Sequence, residues 1–129
     1  MAEQLRELAR RIALALPETT ESSDHNPVHS TFKVRDKTFC WFLNNHHDDG
    51  RIALVMKGMP GAQGVLVDAD PARFFVPPYV GHKGWIGLRL DLPDVDWSQV
   101  EMLLTEAWRA TAPKRLAAQL EATTVRSRP

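Results

Sequence analysis

Between Thr31 and Lys57 the hydrophobic period shortens from that of a helix to that of a strand, and this change most constrains the fold. In "TFKVRDKTFCWFLNN", Phe32 and Val34 fall on one side and Lys33, Arg35 and Lys37 on the other, the two-residue alternation of a pleated strand. A tight turn at Asp36-Lys37 is expected to lead into "TFCWFLN", an apolar and aromatic run suited to a buried strand. "NHHDDG" ends in Asp49-Gly50, a hairpin-turn dipeptide, and "RIALVMK" follows as a third strand with Ile52, Leu54 and Met56 on one side. The middle of the chain therefore reads as an antiparallel meander.

Both ends read as helix. Leu5, Leu8, Ile12, Ala15 and Leu16 recur at helical spacing among charged residues, and Pro17 stops the run because proline has no interior hydrogen bond to give. "PETTESSDHNPVHS" reads as a loop. After the meander, a segment broken by glycines and prolines leaves room for a short helix from Ala62 to Ala69. "WIGLRL" alternates again, with Ile86, Leu88 and Leu90 inward and Trp85 and Arg89 outward. Asp96, with Gln99 three positions on, forms a capping-box pattern, and Val100, Leu103, Leu104, Ala107 and Trp108 make a buried stripe. Pro113 opens a last helical piece, and "TTVRSRP" should fray. The expected fold is α+β: an antiparallel sheet with N- and C-terminal helices packed on one face. A single domain spans 1–122, and 123–129 form a flexible tail.

With 129 residues, 43% hydrophobic and 25% charged, the chain can bury a core without metals or disulfides. Its formal net charge of zero argues against a protein built mainly to grip nucleic acid or anionic membrane, though it leaves room for a locally basic face. The one cysteine, Cys40, excludes an internal disulfide and a thiolate zinc cage. The start lacks a signal-peptide core, and no apolar run reaches the roughly 20 residues of a membrane span. A cytoplasmic protein without a membrane partner is expected.

Four stretches, "FKVRDKTF", "DPARFFVPPYVGHKGWIGLRLD", "VDWSQVEMLLTEAW" and "APKRL", resemble the MmcQ/YjbR family in order and spacing, over nearly everything from Ala2 to about Leu120. The combination of Pro78, Tyr79, Gly84 and Trp85 with an acidic helix start is the specific part. The resemblance implies a compact frataxin-like α/β domain, also likened to a double-wing DNA-binding domain, and a DNA-binding label. Trp108 stands where tyrosine is common in that family, and His82 where lysine or arginine is frequent.

Two candidate sites follow. Lys33, Arg35, Lys37, Lys83, Trp85 and Arg89 would make an outer sheet face able to contact phosphates and stack on bases, in a DNA-associated or regulatory factor. Alternatively, Tyr79, His82 and Trp85 would border a pocket beneath "PPYVGHKGW" that takes a small molecule or a protein segment. The same loop holds proton-transferring groups, yet no triad partner or paired carboxylates stand at informative spacing, so no catalytic residue is assigned. "HHDD" (His46 to Asp49) has metal-ligating atoms, but adjacent extended residues point apart, and a polar hairpin tip is the simpler reading. Glu3 and Glu7 among arginines do not make an acidic iron ridge, and no cofactor is expected. Cys40, flanked by Phe39 and Trp41, reads as buried and inert, and Trp97 and Trp108 as core or capping residues. Lys114 and Arg115 complement the dipole of the preceding helix.

Overall fold

The computed structural model describes residues 1–25, 28–45 and 48–127. Its elements run α1 (Ala2–Leu14), β1 (Thr19–His25), β2 (Val28–Val34), β3 (Lys37–Asn44), β4 (Ile52–Met56), α2 (Ala62–Ala69), β5 (Phe74–Phe75), β6 (Ile86–Arg89), α3 (Trp97–Thr111) and α4 (Lys114–Ser127). The six strands form one antiparallel sheet in the order β1-β2-β3-β4-β6-β5. The fold class is α+β, as the alternation of periods requires. Among the described residues, no helix is long and apolar enough to cross a membrane.

The inner face carries two cross-strand rows. Phe32, Cys40, Met56 and Ile86 form one, and Phe42, Leu54, Leu88 and Phe74 the other. All eight are buried against Ala9 and Ala13 of α1 and the stripe Val100, Leu103, Leu104, Ala107 and Trp108 of α3. The α3 stripe and the Asp96 cap match the sequence expectation: Asp96 Oδ1 accepts from the amides of Ser98 and Gln99 at 3.0 and 3.2 Å. Trp108 Nε1 donates to the Pro17 carbonyl at 3.0 Å, so α3 is tied to the chain just past α1. Cys40 is buried, and burial pushes its thiol well above the ordinary range.

Four expectations need correction. The "PETTESSDHNPVHS" stretch is not a loop, because β1 and β2 form a hairpin within it. Strand β1 is polar because it is a sheet edge, where apolar alternation would invite pairing with another chain. Its inward Glu21 takes a hydrogen bond from Ser30 Oγ at 2.7 Å and pairs with Arg10 Nε at 3.0 Å, linking the strand to α1. The β2–β3 turn is Arg35-Asp36, not Asp36-Lys37. Both turn residues have positive φ, +46° and +66°, as a tight turn matched to strand twist demands. On α1, Leu8 is 41% exposed and Ala15 also faces solvent, while the small Ala9 and Ala13 sit at the contact and let the helix approach closely. Finally, α4 continues past Ala122 to Ser127.

Candidate functional site

The outer face of the sheet is apolar at its centre, over β3, β4 and β5, and polar over β1 and β2. Register places Thr31, Trp41, Val55, Gly87 and Phe75 in one row across five strands, β2, β3, β4, β6 and β5, on the side away from the helices. Trp85 stacks on Trp41 with ring centroids 5.0 Å apart and planes 29° from parallel. Gly87 holds its place because the Phe75 ring lies over it: a Cβ there would come within 2.5 Å of that ring. The Arg51 guanidinium also lies over the Phe75 ring, 4.2 Å from its centroid.

Over this face runs the segment Val76–Gly84, which has no regular structure beyond a 3-10 turn at Gly81–Lys83. Gln63 of α2 pins it at two points, its Nε2 donating to the carbonyls of Gly81 at 2.8 Å and Trp85 at 2.7 Å. Between those anchors and β5, the Val80 amide donates to the Pro78 carbonyl at 2.8 Å around a Tyr79 whose φ is +68°. A turn closed across a single residue at positive φ is the rare, strained γ-turn. Tyr79 is nonetheless 77% exposed, so packing of its own ring does not account for the strain.

Beneath the segment is a cavity of about 300 Å³. Trp41, Leu43 and Val55 line it from the sheet, Pro77 to Val80 from the segment, and His29, Ser30 and Thr31 from β2. The Ser30 hydroxyl is committed to Glu21, and His29 Nε2 lies 3.2 Å from the Asn44 carbonyl. A smaller cavity of about 90 Å³ continues on the far side of Pro78, sharing Leu43 and Val55 and reaching Phe75, Asp49 and Arg51. A wider groove, about 520 Å³, lies between α2 and α3 and holds the exposed Met59, Val65 and Met102.

Of the pocket residues read from sequence, Tyr79 lines the cavity. His82 is exposed in the 3-10 turn and Trp85 lies beneath the segment, stacked on Trp41; neither is part of the lining. The other lining residues were missed, although Trp41 and Val55 alternate with the inward Phe42 and Leu54. Strands apolar on both faces signal a sheet covered on both sides.

The residues read as a cationic face do not share one strand. Lys33 is on β2, Arg35 in the turn, Lys37 on β3, Lys83 in the 3-10 turn and Arg89 at the end of β6. Two of them are engaged with acids. Arg35 makes a forked pair with Glu18 at 2.8 and 2.9 Å, and Arg89 with Asp91 at 3.1 and 2.9 Å. These bonds hold the Glu18 and Asp91 carboxyls below their ordinary range. Trp85 is on the outer side as alternation requires, but it is only 8% exposed and offers no open ring for stacking. His46 and His47 lie outside the described residues, and among those described no cluster of three His, Cys, Asp or Glu could hold a metal.

A protein-family model described as YjbR matches residues 14–110, which include all six strands, the covering segment and nearly all of α3. No curated protein and no solved structure matches the chain.

Proposed function

The chain belongs to the YjbR family, and from that premise we propose that it is a non-catalytic binding module whose outer-face pocket, beneath Pro77–Val80, receives a small molecule. One observation supports this above the others: the strained γ-turn that displays Tyr79 at the rim of an apolar cavity. Backbone strain of this kind costs on the order of 1–3 kcal/mol and persists where the surroundings hold it in place. Here Gln63 and the covering segment hold it, and an aromatic rim over an apolar floor is what a small, flat ligand needs. A thermal-shift screen of metabolites and nucleotides tests the reading, because a ligand for the native state raises the melting temperature. A hit whose stabilisation disappears in Tyr79→Ala supports the pocket; hits indifferent to that change count against it.

Contact with DNA is the second reading, in a cytoplasmic, regulatory role. In its favour, Lys33, Lys37 and Lys83 lie at the same end of the sheet, around the β2–β3 turn and the start of β6, and none has an ion pair among the described residues. Arg35 and Arg89 would have to leave their carboxylates to join them. Fluorescence anisotropy with duplex and single-stranded DNA across a salt series decides it. Binding that weakens with salt and is lost when Lys33 and Lys37 become Ala supports DNA; no binding at low salt removes it.

A further inference from the structure

Resting on the pocket reading, we infer that the ligand is a flat apolar molecule with a single carboxylate at one end, held by Arg51. The two cavities of the outer face share Leu43, Val55 and Pro78, so they adjoin at Pro78 and together offer an elongated site. Trp41, Leu43, Val55, Pro78 and Phe75 give it an apolar floor and wall, and the far end carries Arg51 beside Asp49. The Arg51 guanidinium rests on the Phe75 ring and has neither an ion pair nor a side-chain hydrogen bond among the described residues.

The nearby acids explain why Arg51 is the available partner. Asp91 gives both carboxylate oxygens to Arg89, and the charge of Asp49 also acts on Arg89. Asp49 Oδ1 accepts the backbone amide of Arg51 at 2.9 Å rather than its side chain. With its carbon over the ring and no side-chain partner among the described residues, the guanidinium keeps N–H groups to donate, and its edge matches a carboxylate in a two-bond fork. Asp49 also lines this end of the groove and penalises a second negative charge, which favours a monoanion over a phosphate dianion.

The probes are 2-naphthoate and its uncharged counterpart 2-naphthamide, titrated into the full chain near neutral pH with backbone amide shifts as the readout. Naphthoate should bind about fivefold more tightly than the amide, the scale of a partly exposed ion pair. Arg51→Met, which keeps the stem over Phe75, should abolish that preference. Asp49→Asn, which keeps the amide acceptor, should widen it. Equal affinities in the wild-type chain, or a preference that survives Arg51→Met or narrows in Asp49→Asn, overturn the carboxylate assignment while the pocket reading stands. Binding of neither probe at the groove overturns the carboxylate assignment, and the metabolite screen with Tyr79→Ala then decides the pocket separately.

Discussion

Tyr79 combines two properties that selection for stability alone would not bring together, a γ-turn at φ +68° and a ring 77% exposed. Replacing it with glycine relieves the backbone strain and removes the ring in one step. The strain released is partly offset by the greater chain entropy of glycine. Tyr79→Gly should therefore leave stability unchanged or raise it by up to about 1 kcal/mol in urea unfolding, while weakening ligand binding. A clear loss of stability would mean that the ring serves the fold. Nothing in "VPPYVG" announces this turn, because positive φ at a tyrosine is imposed by what holds the segment at Gly81 and Trp85, not by local preference. Asp96 was legible for the opposite reason: a cap is a local exchange between a side chain and the amides two and three residues on.

At the scale of elements, the short pairing of β5 with β6 sets the far end of the groove. Gly87→Ala would drive a methyl into the Phe75 ring, so Phe75 must move, taking the support of Arg51 with it. Overpacking of this kind costs about 1–3 kcal/mol. Phe75→Ala in the same chain should recover part of the loss, and a double-mutant cycle of urea-unfolding free energies measures that coupling. Additive effects would show that the two side chains do not clash. Elements with a clean apolar period, β4, β6 and α3, were legible from the sequence. Strand β1 was not, since "TTESSDH" has the composition of a loop and becomes a strand only by pairing with β2. The buried stripe of α1 is rotated from the expected one because the alanines at the contact give a weaker signal than the exposed Leu8.

The whole molecule is a sheet covered on both faces, by helices inside and by a single loop segment outside, and its outer ion pairs make its stability depend on acid. Glu18 and Asp91 have depressed pKa values in the folded chain, so their contribution is present above the ordinary carboxylate range and is lost as pH falls through the folded values. Asp91→Asn should be less stable than wild type by about 1 kcal/mol at neutral pH, and the gap should close below about pH 4, once the wild-type carboxyl takes up its proton. Urea midpoints across that range check it. The double covering was legible in "TFCWFLN", apolar at Trp41 and Leu43 as well as at Phe42, yet which segment covers the outer face is a matter of tertiary contact and was not. The central claim is that this outer face, and not the groove between α2 and α3 or the lysines at the sheet end, is where the protein meets its ligand. Amide chemical-shift mapping of hits from a small-molecule screen tests it most directly. The account predicts shifts concentrated on Thr31, Trp41, Leu43, Val55 and Tyr79; shifts centred on Met59, Val65 and Met102, or on Lys33 and Lys37, would contradict it.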